Sequence, residues 1–217
     1  MNELHGIVDA ICAEFEAKSA VRDQTLRRSR QLIRYCADSI RAIHRDEFAD
    51  ARALLTTARA AAVEMVADTR QYPDLCHAGY TQDAMKELAE GYITYALVTG
   101  ESVPSPKELD VEPASYLNGL AEAVGEMRRY VLDRLRRGDV AAGERLLAAM
   151  DDIYSLLITV DFPDAITGGL RRNTDMVRGV LERTRGDLTT AVRQEEMKAA
   201  LRTFGRQVGL TMDEIEI

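Results

Sequence analysis

The sequence predicts an all-α fold in one domain, and three observations carry that prediction. Ala, Leu, Arg and Glu dominate the chain, and these residues lose least conformational freedom on entering a helix. Apolar positions recur at helical spacing, with no sustained strand-like alternation. Proline and glycine punctuation divides the sequence into about seven helical stretches joined by short connections, the pattern of a bundle. With 217 residues, 46% of them hydrophobic, the chain can bury one sizeable core across residues 1–217.

The elements follow from the breakers. A first helix is expected over roughly 2–18 and a second over 22–45. The third, about 48–71, ends at Tyr72-Pro73, because a residue before proline is pushed out of the α region. The fourth, about 78–100, stops at Gly100, and the Pro/Ser-rich stretch ESVPSPKEL follows it. The fifth, about 112–137, opens at Glu112-Pro113, proline being favoured in a first turn. The sixth spans about 140–160 and breaks at Asp161-Phe162-Pro163-Asp164. The seventh, about 168–186, leads into a charged C-terminal helix and tail over about 190–217. Short connections predict mostly antiparallel neighbours.

Composition also excludes classes of protein. No apolar run approaches 18 residues and the N-terminus lacks a signal-peptide pattern, so a soluble cytoplasmic protein with no membrane role is expected. Three cysteines, Cys12, Cys36 and Cys76, form no CxxC pair and read as buried thiols in a reducing compartment. Net charge is −8, which by itself argues against nucleic-acid binding. The distribution argues the other way. Seven arginines lie between Arg22 and Arg45 against two acids, Asp23 and Asp38.

On the second helix Arg27, Arg30, Arg34, Arg41 and Arg45 fall within about 60° of one another, opposite an apolar face. Guanidinium forks match phosphate oxygens, so this ridge of roughly 27 Å is a candidate nucleic-acid surface. A solvated or ion-paired face explains it equally well. His44, at the edge of the packing face, reads as structural.

Two helices carry paired carboxylates. KELAE places Glu87 and Glu90 at i, i+3, with Asp83 one turn earlier; LAEAVGE places Glu122 and Glu126 at i, i+4. Residues so spaced share a helix face about 5–6 Å apart. If the two faces meet, four carboxylates surround a space suited to Mg²⁺ or Mn²⁺, hard ions that prefer oxygen ligands. Such ions lower the pKa of bound water and neutralise phosphate charge, which is the chemistry of phosphodiester hydrolysis. The bland reading of each pair is an acidic surface face. Gly125 costs about 1 kcal/mol against Ala inside a helix and would permit a close approach there. With His5, His44 and His77 the only histidines, Glu-x-x-His di-iron pairs cannot be written, and no glycine-rich phosphate loop, zinc spacing or Ser-His-Asp set is present. An all-α nucleotide pyrophosphohydrolase stays open as a third reading, although its second acidic pair would be spaced by three.

The stretches DAMKELAEGYITYALVTGE, VEPASYLNGLAEAVGEMRRYVLDRLRRGDV and MDDIYSLLITVDFPDAITGGLRRNTDMVRGVLERTRGDL resemble the translin superfamily, specifically translin-associated factor X and its archaeal relatives. The similarity runs from about residue 3 to 188, and YLNGLAEAVGEMRR is its most specific part. The resemblance implies a seven-helix fold assembled into a hollow homo-octamer that encloses single-stranded RNA or single-stranded DNA, with no separate translin partner. Factor X relatives cut RNA with Mg²⁺ through four acidic residues, which the motif places at Glu87, Glu90, Glu122 and Glu126. The family often has Asp where Glu122 stands. The resemblance thus implies a Mg²⁺-dependent endoribonuclease rather than a non-catalytic RNA- or DNA-binding shell, with Arg27, Arg30 and Arg34 as the corresponding binding surface.

Overall fold

A computed structural model of the protein describes residues 2–207. Nine helices occur among the described residues, in the order α1 (Asn2–His44), α2 (Phe48–Thr69), α3 (Pro73–Cys76), α4 (Gly79–Thr99), α5 (Pro106–Leu109), α6 (Pro113–Arg136), α7 (Val140–Leu157), α8 (Asp164–Thr167) and α9 (Leu170–Gln207), and no strand is found among them. Six are long, and α3, α5 and α8 are single turns of four residues. No helix among the described residues is long and apolar enough to cross a membrane.

The expected break between 18 and 22 does not exist, and α1 is one helix of 43 residues. Nothing in AKSAVRDQ stops a helix, and the hydroxyl of Thr25 donates back to the Val21 carbonyl inside the same ladder. Likewise the seventh and C-terminal segments are one helix, α9, whose 38 residues run through Gly186. The tail beyond 207 lies outside the described residues. The predicted stops elsewhere have visible causes. Gly100 takes a left-handed conformation (φ 79°) that closes α4. In the Pro/Ser-rich stretch, Ser105 and Glu108 form a reciprocal cap that starts α5. The Asp139 carboxylate accepts from the Ala142 amide to start α7.

Two apolar clusters form the interior. One gathers Leu32, Cys36, Met65, Leu88 and Ile93 between α1, α2 and α4; the other gathers Met127, Leu146, Met150, Val177 and Leu181 between α6, α7 and α9. Helices α1, α2, α4 and α6 contribute to both clusters, and α4 packs directly against α6. Helices α4 and α6 run in the same sense, contrary to the antiparallel expectation: Ser115 meets Gln82, and four to seven residues further along each helix Glu122 meets Lys86. The connection over 100–112, with α5 in it, is long enough for this crossover. At the α1–α2 turn Asp46 adopts a positive φ of 62°. Its carboxylate accepts from the Tyr130 hydroxyl at 2.8 Å and from Arg137 at 2.6 Å, and it also pairs with Arg134. These contacts fix the end of α1, and with it His44, against α6.

Among the cysteines only Cys36 is fully buried; Cys76 is half-buried and Cys12 is exposed, so the expectation of buried thiols fails for Cys12. Its stretch of α1 projects past the core, with the buried residues of that helix beginning at Thr25.

Candidate metal centre

The carboxylates come together because α4 and α6 approach unusually closely at Gly119. A Cβ there would lie 2.7 Å from the Lys86 carbonyl oxygen and 3.0 Å from both the Ala89 Cβ and the Glu90 amide nitrogen. No larger residue fits without moving the helices apart. Gly125, the glycine singled out in the sequence, has nothing within 4 Å of its would-be Cβ; its side of α6 is open space. The close backbone approach is therefore at Gly119, while Gly125 leaves room for a water or a substrate rather than for another helix.

Across the Gly119 contact Glu87 and Glu90 from α4 meet Glu122 from α6. One carboxylate oxygen from each lies within 4.8 Å of the other two. Glu90 is only 8% exposed and makes no hydrogen bond or ion pair among the described residues. Burial pushes its carboxyl up to about 8, with Glu87, Glu122 and Glu126 adding to the shift. Burial raises Glu87 too, against the pull of Lys86. A buried carboxylate with no partner is costly; protonation removes that cost, and so does a bound cation. Three all-oxygen donors on two rigid helices suit a hard divalent ion with remaining positions left to water or phosphate.

The fourth glutamate stands apart from this group. Glu126 meets Nε2 of His44 at 2.5 Å, and the hydrogen bond holds its carboxyl below the usual range. His44 is buried, and its Nδ1 has no partner. Three carboxylates thus share one space, while the fourth, whose charge also reaches Glu87 and Glu90, is anchored to a histidine 82 residues away in the chain. Reading His44 as a packing residue missed this pairing, since neither residue's sequence neighbourhood points to the other.

A second feature absent from the sequence reading is Lys86. Its ammonium crosses from α4 to α6 and lies 2.8 Å from Glu122 and 3.9 Å from Glu87. Beside it opens a cleft of about 470 Å³ lined by Gln82, Asp83, Lys86, Asn118, Glu122 and Asn173, among others. Arg129, one turn beyond Glu126 on α6, is exposed and its charge adds to the lowering of the Glu126 carboxyl.

The arginine stripe divides into two halves. Arg41 pairs with Asp38, and Arg45 with Glu47 at 2.5 Å. Arg27 donates to the neutral Gln24 side chain, while Arg30 and Arg34 are exposed with no acidic partner among the described residues. Cys36 is the residue of α1 whose thiol feels Glu87 and Glu90, after the larger effect of burial. At about 100° per residue, Arg27, Arg30 and Arg34 lie roughly 120–180° around α1 from it. The stripe therefore points away from the side of α1 on which Glu87 and Glu90 lie.

No protein-family model matches the chain. It is 30% identical over 218 residues to an uncharacterized protein of Methanocaldococcus jannaschii, an alignment covering 98% of this chain and 92% of that protein. It superimposes on the crystal structure of AfC3PO, and on AfC3PO in complex with duplex RNA, with TM-score 0.79 and 34% identity in each case. Each superposition covers 86% of this chain and 97% of the AfC3PO chain. The crystal structure of apo-NeC3PO shares the fold, with TM-score 0.78 and 18% identity over 85% of this chain and 96% of that one. With this likeness extending over almost the whole AfC3PO chain, and with the acidic and YLNGLAEAVGEMRR segments in place, the protein belongs to the translin superfamily, in its archaeal Trax-like branch.

Proposed function

We propose that the protein is a Mg²⁺- or Mn²⁺-dependent endoribonuclease in which Glu87, Glu90 and Glu122 hold the ion. The observation that carries this reading is Glu90, buried, without a partner, and converging with two further carboxylates. A divalent ion at this point supplies Lewis-acid activation of water and neutralises phosphate charge. The chain's own residues do the rest. Glu126, kept ionised and oriented by His44, accepts the proton of the attacking water. Gly125 leaves the face between Glu122 and Glu126 open to substrate. The substrate class is RNA, in keeping with the duplex-RNA complex of the similar AfC3PO. Phosphate contacts position a strand without reading its bases, so little sequence preference is expected.

The same reading places a cytoplasmic RNA within a hollow homo-octamer built from one translin-like domain per chain. Two features support self-assembly. The projecting part of α1 exposes Leu4, Ile7, Val8, Ile11 and Phe15, spaced as one helical stripe, and the end of α9 exposes Met197, Leu201 and Phe204 in the same way. Light scattering tests the assembly, and a species of 24.1 kDa overturns it.

The catalytic test is cleavage of single-stranded and duplex RNA by purified protein with Mg²⁺ or Mn²⁺, in comparison with the Glu122→Ala, Glu126→Ala double variant. Full activity in the variant rejects the assignment. A second reading, a non-catalytic RNA- or single-stranded-DNA-binding shell, draws on the ion pairs of Glu122 with Lys86 and Glu126 with His44. Binding without cleavage across several divalent ions would establish it.

A further inference from the structure

We infer that Lys86 is a resident counter-cation of the carboxylate centre, which a divalent ion displaces and whose freed ammonium then takes an RNA phosphate. This rests on the metal-dependent reading above and adds to it a coupling between ion binding and substrate binding.

Three observations carry it. First, Lys86 Nζ is 2.8 Å from both oxygens of Glu122, so the lysine competes with an ion for each of them. Second, the ammonium also reaches Glu87 at 3.9 Å, yet leaves the more deeply buried Glu90 unmatched. Lys86 is thus a monovalent occupant at the edge of a site whose centre it does not fill. Third, the lysine has somewhere to go. Its side chain keeps 22% of its surface exposed and lines the cleft of about 470 Å³ beside Gln82 and Asn118.

The charge balance favours exchange over coexistence. With all three carboxylates ionised, one ammonium leaves two negative charges, and a divalent ion in its place leaves one. Keeping both cations within a few ångströms sets like charges against each other in a half-buried place, where screening is weak. Lysine suits the swap, since its compact charge rides on a flexible four-carbon stem and binds phosphate without a fixed geometry. The competing explanation is a clamp, in which Lys86 only ties α4 to α6 and orients Glu122.

The two explanations predict opposite signs. Lys86→Met and Lys86→Gln variants of the full chain are titrated with Mn²⁺ by calorimetry without RNA, then with a labelled 2′-O-methyl RNA at saturating Mn²⁺. Displacement predicts Mn²⁺ binding about tenfold tighter in both variants, the size of one lost competing charge contact of about 1.4 kcal/mol. It also predicts RNA binding several-fold weaker, with helix content by circular dichroism unchanged. Mn²⁺ binding that is unchanged or weaker in two folded variants overturns the inference and establishes the clamp, while the metal reading survives through the wild-type titration. Absence of Mn²⁺ binding in the wild type and both variants overturns the metal reading itself. A wild type that binds poorly while both variants bind well supports displacement.

Discussion

Glu90→Gln is the perturbation whose size follows most directly from the structure. Glu90 is 8% exposed, has no partner, and has its carboxyl raised from 4.5 to about 8, chiefly by burial. A carboxyl raised on folding binds its proton in the native state at pH values where the unfolded chain has released it. Its contribution to stability is therefore whole below about 4.5, falls as pH rises towards 8, and levels off above that. At pH 7 the interval above the unfolded value is about 2.5 pH units, each worth about 1.36 kcal/mol, or roughly 3 kcal/mol in all. Glutamine keeps the shape and removes the ionisation, so the metal-free variant should be more stable than wild type at neutral pH by about that amount. For a chain of this size the gain corresponds to roughly 6–12 °C in melting temperature. The assay is thermal unfolding with chelator from pH 4 to 9, followed by circular dichroism. The difference between variant and wild type should be absent near pH 4 and largest above pH 8. Mn²⁺ should raise the wild-type melting temperature at pH 8 far more than that of the variant. A variant no more stable than wild type at pH 8, or a difference independent of pH, refutes the claim that Glu90 sits as an uncompensated buried acid.

Further outcomes follow from the same geometry. Gly119→Ala forces a methyl against the Lys86 carbonyl, so it should cost about 1–3 kcal/mol by denaturant unfolding and weaken Mn²⁺ binding; wild-type stability would refute the close helix contact. His44→Gln removes the main influence holding the Glu126 carboxyl low, so the acid limb of the cleavage profile should move to higher pH, and an unmoved limb would exclude Glu126 as the proton acceptor. Replacing Arg30 and Arg34 together by alanine should reduce the slope of log affinity for RNA against log salt by about 1.4–1.8, from 0.7–0.9 per phosphate contact. An unchanged slope removes the stripe from the binding surface.

Those arginines show how far a one-dimensional reading reaches. Their common face on α1 follows from helical spacing alone, and so do the two glutamate pairs and the starts and stops at Tyr72-Pro73, Gly100 and Glu112-Pro113. Local periodicity gives no information on which face meets which neighbour. It could not place the stripe on the far side of α1 from the carboxylates, and it drew α1 as two helices although no residue between 18 and 22 breaks one.

What the sequence determined by itself is the all-helical class, the boundaries set by proline and glycine, and the presence of two acidic helix faces, because each depends on residues within one or two turns of each other. Tertiary structure alone decided that Gly119 rather than Gly125 is the point of contact, and that Glu87, Glu90 and Glu122 share one space. It also decided that Lys86 reaches 36 residues to Glu122, and that His44 reaches 82 residues to Glu126. The physical reason is that such meetings are fixed by how whole helix surfaces fit around two apolar clusters, a property distributed over the entire chain rather than written at the residues that meet.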